Sequence, residues 1–202
     1  MSMGFVNRIL TDPRVYALWI MPFARRKIAP LLPHVDLPSV RRVLDLGCGP
    51  GTNAGLFHRA DYVGVDMNPG YIEFGRARYR GEFIAADALA YEPRDGCQFD
   101  LILLNSFLHH VDDETARRLL ARLNGFLAND GTIHLLDLVL PEERSLARWL
   151  AVHDRGDYPR PLAEWRGLFE ERFECTAFQP YPLGIFGLTM WQMVYLKGTR
   201  RA

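Results

Sequence analysis

The sequence is poor in the features that mark an extracellular, membrane-spanning or nucleic-acid-binding chain. It has three cysteines, Cys48, Cys97 and Cys175, far apart and without C-x-x-C spacing. An odd number with no pairing pattern argues for reduced thiols and against a disulfide framework or a zinc site. Charge of one sign is not in excess: 24 Lys and Arg balance 24 Asp and Glu. No net field therefore draws the chain to nucleic acid or to an acidic membrane. No run of 18 apolar residues occurs, so no membrane-spanning helix and no stable membrane insertion are expected. Residues 1–12 carry charge and lack the apolar stretch of a signal peptide. No internal repeat or low-complexity tract is present. The expectation is a cytoplasmic chain, 1–202, forming one domain, with monomer and dimer both open.

What is present is an alternation of strands and helices. Short apolar runs predict strands at 43–46, 62–66, 83–87, 99–104 and 132–139. Between them, helices are expected at 52–59, at 69–79 with Pro69 in its first turn, and at 112–127 with apolar residues at 116, 119, 120, 123, 126 and 127. This order predicts an α/β fold, a three-layer sandwich around a mostly parallel sheet wound by right-handed crossovers. Two flanks surround the 41–139 core. Residues 13–33 read as a leading helix, broken near Pro22 and carrying Tyr16, Trp19 and Phe23. After Pro141 come helices at about 142–152 and 161–171 and strands at 173–179 and 190–197. The Pro/Gly/aromatic stretch 180–188 between those strands has no clear period.

The first strand ends in Gly47-Cys48-Gly49-Pro50-Gly51. Open parallel sheets bind ligands beyond the carboxyl ends of their strands, and glycines there let backbone approach a ligand closely. The dinucleotide pattern G-x-G-x-x-G fits poorly, because Thr52 stands where its third glycine belongs. No Gly-Lys-Ser/Thr follows, which excludes a phosphate-gripping P-loop. The informative set is acidic: Asp45 just before the loop, Asp66 ending the second strand and Asp87 ending the third. An acid ending the second strand can accept from both hydroxyls of a ribose. One ending the third can accept from an adenine amine. Asp45, beneath the loop, is placed to hold backbone N–H groups or to face a cationic amino-acid moiety.

The segments VLDLGCGPGT (43–52), VGVDMNP (63–69), FIAADAL (83–89), FDLILLNSFLHHV (99–111) and GTIHLLDLV (131–139) together resemble the class I S-adenosylmethionine-dependent methyltransferases, in particular small bacterial members. The resemblance runs in register over about 41–139. It implies a Rossmann-like sheet of seven strands, the last antiparallel, with 190–197 as the inserted reversed strand. It also implies cofactor contacts at Asp45, Gly47, Gly49, Asp66, Met67, Asp87, Ala88 and Asn105, with Met67 flanking the adenine.

A sulfonium methyl is already activated, so holding a nucleophile in line does most of the work and a general base is optional. The acceptor is expected near 105–110, with His109 or His110 as the base if one acts. His153, Asp154, Asp157 and Tyr158 form a polar loop after the core and are further substrate candidates, His153 and Tyr158 first among them. The leading helix, followed by Arg25-Arg26-Lys27, is read first as a lid with Tyr16 near the methionine end of the cofactor, with core packing or contact with a membrane surface as alternatives; the aromatics at 181–191 are read as pocket wall or core. Asp137 stands alone after the fifth strand, so no metal is expected. Asn105 is not followed by Pro-Pro-Tyr, and the chain has no basic–aromatic face, so a small molecule is expected as acceptor and nucleic acid is not. The alternatives are a non-catalytic S-adenosylmethionine-binding protein and, more weakly, a nicotinamide-dependent oxidoreductase.

Overall fold

The computed structural model describes residues 23–201 apart from Arg155 and Phe186. Seven strands form one sheet: β1 (Arg42–Leu46), β2 (Asp61–Asp66), β3 (Glu82–Ala85), β4 (Phe99–Asn105), β5 (Leu127–Val139), β6 (Phe173–Ile185) and β7 (Leu188–Arg200). Their order is β3-β2-β1-β4-β5-β7-β6. The first five are mutually parallel where they pair, and β7 runs antiparallel to both β5 and β6. The winding reverses between β1 and β4, so the ends of these strands open a crevice.

Central strands buried on both faces read as continuous apolar runs. Leu44 and Leu46 of β1 and Ile102 and Leu104 of β4 pack into the core of one face; Val43, Leu101 and Leu103 pack into that of the other. Helix α1 (Pro69–Arg78) begins where the Asn68 side chain accepts from the amides of Gly70 and Tyr71. Helix α2 (Asp113–Phe126) is capped by Asp112, which accepts from Thr115, and buries Ala116, Leu119, Leu120 and Leu123. Helices α3 (Leu146–Val152) and α4 (Leu162–Glu170) follow, the first starting later than expected because Ser145 supplies its cap.

Two expectations change. The helix at 52–59 is only a 3-10 turn, Ala54–Phe57, without a side-chain cap. Asn53, which would cap it, instead donates to Asp45 and accepts from Asn105. The stretch 180–188, without visible period, is the β6–β7 hairpin, in which Pro180 lies opposite Val194 and Pro182 opposite Gln192. Because β6 is the edge of the sheet, prolines that lack an N–H are tolerated there. Among the described residues no helix is long and apolar enough to cross a membrane.

Candidate functional site

The glycine loop is pinned from beneath. The amides of Gly47 and Cys48 both donate to the Val65 carbonyl, at 2.8 and 3.1 Å. Gly47, Gly49 and Gly51 have φ of 73°, 54° and 78°, a region costly to side chains. A Cβ on Gly47 would also lie 2.6 Å from the Phe107 ring. Composition and backbone agree here: only glycine allows the tight turn against the next strand end.

Asp66 ends β2 beside this loop. Its Oδ2 accepts from Gly49 at 2.9 Å and its Oδ1 from Asn68 at 2.8 Å. Burial raises its pKa, and these two amides work against that rise. Each oxygen retains a lone pair for a further donor. Met67, next in the chain, is 78% exposed. Asp87 lies just past β3, with Oδ1 accepting from Leu89 at 2.8 Å. Gly47, Gly49, Asp66, Met67, Asp87, Ala88 and Asn105 all line one cleft of about 580 Å³, well within the size range of small-molecule sites.

Asp45 is placed differently from the expectation. It is fully buried and absent from the cleft lining. It accepts from the Tyr62 hydroxyl at 2.6 Å and from Asn53 Nδ2 at 3.2 Å, not from loop amides. Burial, opposed by these two hydrogen bonds, pushes its pKa up to about 6. Asn53 Oδ1 in turn accepts from Asn105 Nδ2 at 3.3 Å. A chain Tyr62–Asp45–Asn53–Asn105 thus runs under the loop, and it ends at Asn105 Oδ1, a buried acceptor with no partner. Tyr62 and Asn53 were not singled out from sequence; nothing in a strand tyrosine or a loop asparagine announces such a role.

At the end of β4, Ser106 adopts φ 54° and donates its amide to Leu136 at 2.7 Å. Left-handed backbone in a non-glycine residue is a strained arrangement that gathers at functional sites. It turns the chain so that Phe107, His110 and Val111 line the cleft. His109 does not line it. Its Nδ1 is 2.5 Å from Asp137 Oδ1 and its Nε2 3.2 Å from Asp154 Oδ2. Burial alone would lower its pKa, but the charges and hydrogen bonds of the two carboxylates raise it to about 9. A buried imidazolium with both nitrogens engaged has no lone pair to offer, which corrects the expectation of His109 as a base. Asp137, near the end of β5, is the anchor of this group.

The loop candidates are corrected as well. His153 and Tyr158 are absent from the lining. His153 folds back onto its own helix, Nδ1 2.7 Å from the Trp149 carbonyl and its ring stacked 4.5 Å from that of Trp149. Tyr158 is 43% exposed. Tyr16 lies outside the described residues. The part of the leading segment that is described, residues 23–28, is helical and places Ala24 and Lys27 on the cleft. The aromatics after it are packing residues: Trp191 meets Phe23 edge-on at 5.3 Å, and the Tyr181 hydroxyl donates to the Lys27 carbonyl at 2.8 Å. Among the described residues no group of three or more His, Cys, Asp or Glu side chains is placed to hold a metal ion.

A parallel sheet with a reversed seventh strand, a glycine loop after β1 and acids ending β2 and following β3 define the fold of the class I S-adenosylmethionine-dependent methyltransferases. Residues 43–131 match the methyltransferase domain family model, which covers less than half of the chain. A trans-aconitate 2-methyltransferase of Methylobacterium radiotolerans is 39% identical over 113 residues, which are 54% of this chain and 42% of that protein. The chain thus spans less than half the length of this relative. Among solved structures, a methyltransferase of Methanosarcina mazei superposes with a TM-score of 0.70 at 18% identity, covering 86% of this chain and 98% of that one. Human N-acetylserotonin methyltransferase, solved in complex with S-adenosylmethionine, gives a TM-score of 0.64 at 18% identity over 88% of this chain and 51% of its own. These two likenesses concern the fold. No support for an oxidoreductase comes from any of them.

Proposed function

We propose that this chain transfers a methyl group from S-adenosylmethionine to a small anionic acceptor, most simply a carboxylate. The observation that carries the first half is the cleft framed by Gly47, Gly49, Asp66 and Asp87. It includes Asn105, whose Nδ2 is fixed by Asn53 beneath the loop. Asp66 would take the ribose hydroxyls, and Met67, Asp87 and Ala88 the adenine. The bound cofactor supplies a methyl carbon made electrophilic by its sulfonium.

The second half rests on what else lines the cleft. Besides the residues named above, Lys27, Phe107, His110, Val111 and Thr115 line the cleft, apolar surface beside an ammonium and polar groups. A carboxylate is already ionised at neutral pH and needs no base. The relationship to trans-aconitate 2-methyltransferases supports the same class. In the transfer, a carboxylate oxygen bonds to the methyl carbon as the S–CH3 bond breaks. The electron pair stays on sulfur, and no proton moves. The chain's own task is to hold the oxygen in line and exclude water.

The test is transfer of label from methyl-labelled S-adenosylmethionine to a panel of small carboxylates including trans-aconitate. A base-labile labelled ester is expected. Labelling of amines or phenols but of no carboxylate would refute the acceptor class while leaving methyl transfer intact.

A further inference from the structure

The turn Leu108–His110 has two sides. Inward, its neighbourhood lines the cleft through Phe107, His110 and Val111. Outward, its polar groups are met by β5 and by Asp154, Tyr158 and Arg160. Asp137 accepts from the Leu108 amide at 2.9 Å and holds His109 Nδ1. Asp154 takes His109 Nε2, and the Tyr158 amide donates to the His109 carbonyl at 3.0 Å. Arg160 reaches the carbonyls of Leu108 at 2.8 Å and Val111 at 2.7 Å, and Asp113 at 2.8 Å. Gly156 is pressed so closely that a Cβ there would sit 2.6 Å from the His109 carbonyl oxygen. The glycine loop, Asp66 and Asp87 share none of these bonds.

From this division we infer that Asp154, Gly156, Tyr158 and Arg160 form a latch for the acceptor half of the cleft alone, with Asp154, acting through His109, and Arg160 as positioning residues. The inference rests on the methyltransferase reading and deepens it. Asp154 takes the second nitrogen of a buried imidazole whose first is held by Asp137, so its loss leaves a buried N–H without an acceptor. A charge-assisted hydrogen bond also fixes direction better than a neutral one. The turn is therefore held at one depth against the cleft. In a reaction governed by alignment, a displacement of about 1 Å at such a wall costs on the order of a hundredfold in rate. Variation in this loop would then retune which acceptor fits without disturbing the cofactor.

Hydrogen exchange read by mass spectrometry, with calorimetric titration of S-adenosylhomocysteine, tests this on Asp154→Ala and the milder Asp154→Asn. In Asp154→Ala, peptides covering 106–111 are expected to exchange at least tenfold faster. Asparagine, which still accepts from His109, should show a smaller effect. Peptides of β1 and β2 should be unchanged and S-adenosylhomocysteine affinity should stay within twofold. Turnover of an acceptor found by labelling should lose at least tenfold in kcat/KM, partly recovered by asparagine. Unchanged exchange over 106–111 overturns the proposal. So does acceleration spread equally over β1 and β2, or a loss of S-adenosylhomocysteine affinity to match. Failure of the wild-type chain to bind S-adenosylhomocysteine would instead strike the cofactor reading, with the exchange result still reporting on the latch.

Discussion

His109 Nδ1 lies 2.5 Å from Asp137 Oδ1, with the two side chains 5% and 0% exposed. The pair gives the fold a definite pH dependence. The folded pKa of His109 is about 9, against an ordinary value of 6.5. A group raised on folding stabilises fully below its unfolded value and loses that contribution as pH climbs to the folded one. Stability is therefore expected to decline from about pH 6.5 to about pH 9, by roughly 3 kcal/mol at about 1.4 kcal/mol per pH unit. At the acid end Asp154, lowered to about 2 against burial by its hydrogen bond to His109, acts in the opposite sense and fails below about pH 4. Asp137, His110 and Lys27 also bear on these groups. Urea unfolding across this range checks it: His109→Gln should flatten the alkaline decline, and an equal slope in that variant contradicts the pairing.

Tyr62→Phe probes the chain beneath the loop. It removes the 2.6 Å donor of a fully buried carboxylate whose other oxygen already lacks a partner. The expected cost is about 2 kcal/mol, seen as a lower denaturation midpoint with an unchanged denaturant slope. A variant as stable as the parent would mean that Asp45 is neutral and does not need the hydroxyl.

Two glycines of the same stretch should answer oppositely. Gly47→Ala meets both a positive φ and the Phe107 ring, and should lose about 1–3 kcal/mol together with cofactor affinity. Gly55→Ala meets nothing within 4 Å and has no unusual φ; there, alanine should be neutral or stabilise by up to about 1 kcal/mol. Equal thermal shifts in the two variants would undo this account of the loop.

The parts of this molecule that could be read in the sequence are those in which local pattern and global position coincide. Continuous apolar runs marked β1 and β4 because both faces are covered. The loop and the acids at 66 and 87 were visible because each stands at the end of its own strand. Asp45 was visible but misplaced: its partner Tyr62 comes from the neighbouring strand, and strand pairing decides that. His109 was picked as a titrating group and Asp154 as part of a polar loop, but not their pairing, since Asp137 and Asp154 reach His109 only through the tertiary fold. In the loop after α3 the residue that matters is Asp154, because the adjacent His153 is turned away onto Trp149. The β6–β7 hairpin escaped because edge-strand prolines erase the usual period. The reading of Tyr16 concerns residues outside those described.

The central claim is that the cleft between the glycine loop and the ends of β2 and β3 holds S-adenosylmethionine, and Asp66 tests it most directly. Asp66 accepts one amide on each oxygen and has lone pairs left for a ribose. Calorimetric titration of S-adenosylmethionine into the parent chain should give one site, and Asp66→Ala should weaken binding by at least about tenfold, the equivalent of about 1.4 kcal/mol. The folded state should be confirmed by an unchanged circular dichroism spectrum. Binding of equal strength in a folded Asp66→Ala chain would contradict the assignment.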